Sequence, residues 1–262
     1  VPSILVGTGS LLIDRSHGNN FDVSGLMNHL VSQGWLVAEH ASGPITGAVL
    51  AGYDILLVPT RDSALPISPF SQAEVAAVLT LLDGGRGLWA FSDIVNPSGI
   101  NTLSEAFGVH FYADIIRDST NNEGHLSWPT IHDLSSHVVF AGVKSYGYYA
   151  GDCLSATPPA ESIARADVDA YSQYCLSGSR PPVLAARQGG GRAIFSGDIT
   201  SLHPTYYPSG LRPEEQLLLQ NIAHWLLGQP TTATSSESWG TIKAMYHDAG
   251  PLDYEERRMI PP

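Results

Sequence analysis

Apolar residues along this chain follow two spacings. Short and nearly unbroken runs come first, in "PSILVG", "GSLLIDR", "WLVAEH", "YDILLVPT" and "RGLWAFSD". Their length and branched side chains predict β-strands. Ile55 to Val58 contains no polar residue, the mark of a strand covered on both faces. Between these runs the spacing lengthens to three and four. "DVSGLMNHLVSQG" places Val23, Leu26, Met27, Leu30 and Val31 on one face of a predicted helix that stops at Gly34. "SPFSQAEVAAVLTLLDGG" predicts a second helix, with Ser71 as N-cap, Glu74 three residues on, and Gly84-Gly85 as the stop. "NTLSEAFG" predicts a short helix, and "PPVLAARQGGGRAIFSGD" a hairpin with a Gly-rich turn. "RPEEQLLLQNIAHWLLG" predicts a long helix that starts at Pro213 and ends at Gly228.

Strands alternating with helices predict an α/β fold, doubly wound around a mostly parallel sheet. The globular pattern spans residues 1–228. A polar linker, "QPTTATSSES", follows at 229–238, and then a C-terminal arm at 239–262. The arm carries Trp239, Ile242, Met245 and Tyr246 at helical spacing. An apolar face of that kind needs a surface to cover it, either its own domain or a neighbouring copy or partner. A head-to-tail contact between copies closes a ring or propagates as a filament. The arm is therefore the expected connector of a homo-oligomer.

Charge narrows the list of partners. The formal net charge is -12 over 262 residues, and Lys144 and Lys243 are the only lysines. That balance argues against a nucleic-acid partner. No apolar run is long enough to predict a membrane span. The two cysteines, Cys153 and Cys175, flank "CLSATPPAESIARADVDAYSQYC". The isolated pair predicts a disulfide that staples this excursion, and with it an oxidising, secreted or extracellular location. The strand-like opening "VPSILVG", without a charged leader, fits the same expectation of a signal segment already removed.

The succession "IDRSHGN", "YDILLVPT", "LLDGGRGLWAFSD", "LSEAFGVHF", "HVVFAGV", "GGGRAIFSGDITSL" and "NIAHWLLG" resembles the class I glutamine amidotransferase-like superfamily over roughly residues 3–228. More narrowly, it resembles a non-catalytic branch with an Asp-x-Ser-His-Gly first loop and a late Gly-Asp-x-Ser/Thr strand end. The resemblance implies a flavodoxin-like three-layer sandwich. Catalytic members carry a cysteine in a Gly-x-Cys-x-Gly elbow. Here the corresponding stretch is "GLWAFSDIVNPSG", with Ser92 or Asp93 at the elbow and no cysteine. Hydrolysis of glutamine through a thiolate is not expected of such a chain.

In a doubly wound sheet, ligands bind at the carboxyl ends of the strands. Asp14, Ser16, His17 and Asn19 leave the first strand there, Ser92 and Asp93 leave the "GLWAF" strand, and Asp198, Thr200 and His203 follow "AIFSG". If these groups converge, they form a polar ligand-binding pocket. The plainer alternative is that Asp14 and Ser16 cap the next helix and satisfy loop amides. A Ser92–His203 pair would imitate a hydrolase dyad, although no Gly-x-Ser-x-Gly elbow supports it. The histidines and aspartates of "HDAG", "IHD" and "EGH" lack ligand spacing, and "GGG" at 189–191 has no lysine after it. No metal site and no cofactor are expected. The sequence thus favours a secreted, non-catalytic binding or self-assembly module. The alternative is a hydrolase using Asp14, His17, Ser92 and His203.

Overall fold

The computed structural model describes residues 8–61, 66–93, 96–172, 175, 180–203 and 212–229. The "PSILVG" run and the arm residues Trp239, Ile242, Met245 and Tyr246 lie outside the described residues, as does nearly all of the linker. The described residues form twelve strands: β1 (Ser10–Asp14), β2 (Leu36–His40), β3 (Ile55–Val58), β4 (Gly87–Phe91), β5 (Val109–Tyr112), β6 (Thr130–Ile131), β7 (Asp133–Leu134), β8 (Tyr146–Gly147), β9 (Cys153–Ala156), β10 (Ala160–Arg165), β11 (Pro182–Gln188) and β12 (Arg192–Ser196). Eight of them form one sheet in the order β2-β1-β3-β4-β12-β11-β10-β7. Pairing is parallel from β2 through β12 and antiparallel from there to β7. This is the predicted doubly wound, flavodoxin-like α/β sandwich, extended at one side by an antiparallel portion. The hairpin expected around the Gly-rich turn is β11–β12.

Side chains alternate across the sheet and divide the core in two. Leu11, Ile13, Ile55, Leu57, Trp89 and Ile194 face one cluster, which is completed by Leu26 and Leu30 of α1 (Ser24–Ser32) and by Leu218, Leu219 and Ile222 of the C-terminal helix. Leu12, Leu56, Val58, Leu88, Ala90 and Phe195 face the other. That second layer is built from α2 (Gly47–Leu50), α3 (Gln72–Asp83), α4 (Ser98–Ser104) and the β5–β9 ribbon. The C-terminal helix, α5, spans Pro213–Leu226. Among the described residues, no helix is long and apolar enough to cross a membrane.

Local signals place the helix ends. Ser71 and Glu74 form the reciprocal capping box at the start of α3, and Gly84 closes the helix. Pro213 opens α5, and Gly228, with φ of 75°, follows its end in the left-handed region that glycine favours. α1 departs from expectation twice. Its N-cap is Val23, which makes no side-chain cap bond, so neither Asp14 nor Ser16 caps it. Val31 is exposed rather than buried with Leu26 and Leu30, because it lies about 100° round the helix from Leu30, off the buried stripe. β2 is an edge strand and leaves Leu36 exposed as well.

Candidate functional site

The carboxyl ends of β1, β4 and β12 carry the three groups singled out in the sequence. Among the described residues they are not joined into a single hydrogen-bonded group. They form two buried polar clusters.

The first cluster is a clasp around His17. Asp14 ends β1 and is fully buried. Its Oδ1 accepts the Ser16 amide at 2.9 Å and the Ser16 hydroxyl at 2.7 Å. Its Oδ2 lies 2.8 Å from His17 Nδ1 and accepts from Asn19 Nδ2 at 3.1 Å. His17 Nε2 lies 3.3 Å from Glu74 Oε1, and the ring stacks on Phe70 with centroids 3.8 Å apart. Glu74 Oε1 also accepts the Ile45 amide at 3.0 Å, while Oε2 accepts the Ser71 amide and hydroxyl at 2.9 Å and 2.7 Å. One imidazole thus ties the β1 loop to the start of α3.

Burial alone would lower the His17 pKa, but bonding to Asp14 and the charges of Asp14 and Glu74 outweigh it and hold it above its ordinary value. Burial likewise works to raise the Asp14 carboxyl. His17, Ser16 and Asn19 overcome it and keep Asp14 below the usual carboxylate range. Glu74 is lowered too, with burial outweighed by the Ser71 amide and hydroxyl, the Ile45 amide and the His17 charge. The three residues form a charged triad whose two ring nitrogens are both engaged. It is built to hold loops together, and it leaves no ring nitrogen open to act as a base.

The second cluster lies where β4 and β12 end side by side. The Ser92 amide donates to the Ser196 carbonyl at 2.9 Å, and the Ser92 hydroxyl donates to Asp152 Oδ2. Ser92 and Asp152 are fully buried, with Asp93 and Asp114 nearly so. Asp152 Oδ1 accepts the Asp114 amide at 3.4 Å. Burial, reinforced by the Asp93 and Asp114 charges, pushes the Asp152 carboxyl up to about 9, against the opposing pull of the Ser92 hydroxyl and the Asp114 amide. It is a neutral acid at pH 7. Asp198 accepts the Tyr149 amide at 2.9 Å and the Thr200 amide at 2.7 Å, and burial pushes its carboxyl upward despite these donors. Gly197 sits between the two aspartates. Its carbonyl accepts the Asp152 amide at 2.8 Å, and a Cβ there would fall 2.0 Å from the Asp152 carbonyl oxygen. Only glycine fits this approach.

Ser92 therefore bonds Asp152, while His203 packs edge-on against Phe21 with ring centroids 5.7 Å apart. Asp14, Ser16, His17 and Asn19 come together as expected. Asp93 lies beside Ser92, and Asp198 accepts the amides of Tyr149 and Thr200, joining two distant segments. Sequence reasoning missed Glu74, Asp114 and Asp152 as members. Glu74 was legible only as a capping residue, and nothing local marks Asp152, which the β5–β9 ribbon delivers. The two cysteines are both buried and not joined to each other, so the predicted disulfide is absent here. Their thiols are nonetheless neighbours: the Cys175 thiol, together with burial, raises the Cys153 pKa far above its ordinary value.

No family model matches the chain, and no curated protein does. Similar solved structures include the mmIFT52 N-terminal domain, at a TM-score of 0.67 and 19% identity over 83% of this chain and 97% of that one. A ThuA-like protein from Bacteroides uniformis aligns at a TM-score of 0.56 and 15% identity, covering 84% of this chain and 91% of that one. The β-galactosidase of Bacillus circulans sp. alkalophilus aligns at 0.51 and 14%, over 85% of this chain but only 32% of its own. These identities show a shared fold. ThuA-like proteins have the class I glutamine amidotransferase-like fold. One fold carried by proteins so differently titled does not fix a function.

The clasp gives a pH-dependent prediction. A raised His17 contributes stability that is complete below 6.5 and lost as pH rises through its folded value. The lowered Asp14 and Glu74 contribute above 3.8 and 4.5 and lose it as pH falls through their folded values. Denaturant unfolding should show His17→Gln losing about 3 kcal/mol near pH 5.5, with the deficit shrinking toward pH 9.

Asp152 runs opposite to Asp14 and Glu74. Its folded value of about 9 stands above the ordinary 3.8, so its contribution is complete below the latter and lost as pH rises toward the former. Asp152→Asn keeps an acceptor for Ser92 without a titrating proton. Its unfolding free energy should equal or exceed that of the parent at pH 8 and fall behind toward pH 4. A difference between variant and parent that does not change between pH 4 and pH 8 would show that the carboxyl is not raised in the fold.

Proposed function

We propose that the chain is a non-catalytic, amidotransferase-like binding or assembly module. The observation that supports this most is Ser92. By the resemblance, Ser92 or Asp93 falls where the superfamily keeps its nucleophile, yet Ser92 is fully buried with its hydroxyl on the neutral Asp152. Nucleophilic catalysis needs a reachable nucleophile beside a base. The hydrolase alternative would require Asp14, His17, Ser92 and His203 to act together, whereas His17 is engaged on both nitrogens by Asp14 and Glu74. The role of a module within larger assemblies draws support from the comparisons. One similar structure is titled as an N-terminal domain, and in another the fold covers a third of the chain.

In this reading the arm is the connector, docking on a neighbouring copy or a partner. Burying Trp239, Ile242 and Met245 together gives on the order of 5 kcal/mol from apolar area, much of it offset by ordering and association. Light scattering of the full chain over a concentration series should show self-association at micromolar concentrations. The double substitution Trp239→Ala and Ile242→Ala should abolish it while leaving the melting temperature unchanged. A monomeric full chain whose double variant melts earlier would place the arm on its own domain instead.

Secretion belongs to the same proposal. The neighbouring thiols of Cys153 and Cys175 are placed to close a disulfide when the protein passes through an oxidising compartment. Intact-mass measurement without reductant, on protein exported to such a compartment, should find both thiols lost to one bridge. Two free thiols there would count against the extracellular location.

A further inference from the structure

Away from the strand ends, three aspartates from two loops meet at the surface. Asp118 belongs to the segment after β5, and Asp167 and Asp169 follow β10. Reciprocal backbone bonds between Arg117 and Tyr171, at 2.9 Å and 2.8 Å, hold the two loops side by side. One carboxylate oxygen from each aspartate lies within 4.8 Å of the others. Burial grades outward, from Asp118 at 1% exposure through half-buried Asp167 to exposed Asp169. Along the sequence these residues lack ligand spacing, and only the fold brings them together.

The buried member is incompletely satisfied. Asp118 Oδ1 accepts the amides of Thr120 and Asn121 at 2.8 Å each and the Thr120 hydroxyl at 3.3 Å. Asp118 Oδ2 is buried and has no hydrogen-bond partner among the described residues. Asp169 Oδ2 accepts the Thr120 hydroxyl at 2.7 Å, and Asp167 accepts from Asn121 Nδ2 at Oδ2 and from the Asp169 and Ala170 amides at Oδ1, at 3.3 Å and 3.1 Å. Among the described residues no arginine, lysine or histidine forms an ion pair with any of the three. A buried carboxylate oxygen without a donor is costly, and two further carboxylates beside it add repulsion. A cation relieves both.

We propose that Asp118, Asp167 and Asp169 form a calcium site that clamps the two loops together. Every donor in the group is oxygen, the ligand set of a hard cation, and no thiol or imidazole is present to select zinc. Two irregular loops offer the adaptable geometry that calcium accepts and that magnesium, with its strict octahedron, does not. Solvent reaches the group from the Asp169 side, so the ion keeps some of its water. An affinity of about 10⁻⁵ to 10⁻³ M suits such a partly exposed site.

The test uses the full chain, stripped with a chelator and dialysed. Calorimetric titration with calcium chloride at constant ionic strength should give saturable one-site binding. Thermal unfolding should move upward in calcium relative to chelator, and potassium chloride should not reproduce that shift. Asp169→Asn, at an exposed position, should weaken calcium binding by about tenfold or more while melting like the parent in chelator. Asp118→Asn, which retains an oxygen for the Thr120 and Asn121 amides, should weaken it at least as much. Absence of saturable binding with several millimolar calcium, or Asp169→Asn binding as tightly as the parent, would overturn the proposal. If Asp118→Asn fails to fold, Asp169→Asn decides alone.

Discussion

The constraint that organises this molecule is the complete burial of the central strands on both faces. Every residue of β3 is inaccessible to solvent, and those of β4 nearly so. Strands of that kind need helices on both sides and a partner strand on each edge. The parallel order and the two hydrophobic layers follow from it. So does the placement of polar residues, which are driven to the strand ends, where the chain leaves one layer for the other.

Several polar side chains at the strand ends are nonetheless out of solvent. Asp14, His17, Asn19, Ser92, Asp93 and Asp198 are buried, so their polar groups must find partners within the protein. Two solutions appear side by side. Around His17 the charges are kept and balanced, one imidazolium between two carboxylates. Around Ser92 the charge is given up, and Asp152 stays protonated beside a hydroxyl. Both arrangements tie the strand-end residues to neighbouring segments of the fold. At the Asp118 group neither solution is complete, and one buried carboxylate oxygen is left without a donor among the described residues.

Much of the fold was legible in the sequence, because it is written in local period. Unbroken apolar runs specified β1, β3 and β4, and three-four spacing with a capping box specified α3. Proline and glycine fixed the ends of α5. The errors were also local. Val31 fits the helical spacing but lies off the buried stripe, and Asp14 looks like a helix cap but turns its own loop. The residue types of the site were legible as well, since Asp14, Ser16, His17 and Asn19 lie within one short loop.

What the sequence could not carry was the choice of partners. Ser92 meets Asp152 rather than His203, His17 meets Glu74, and Asp118 meets Asp167 and Asp169. Each of these meetings depends on which strands become neighbours and how their connections cross the sheet. Hydrophobic period determines whether a segment is helix or strand and which face it buries. It does not encode where a loop many residues away will arrive, because a carboxylate's environment is set by tertiary neighbours and not by the residues beside it in the chain.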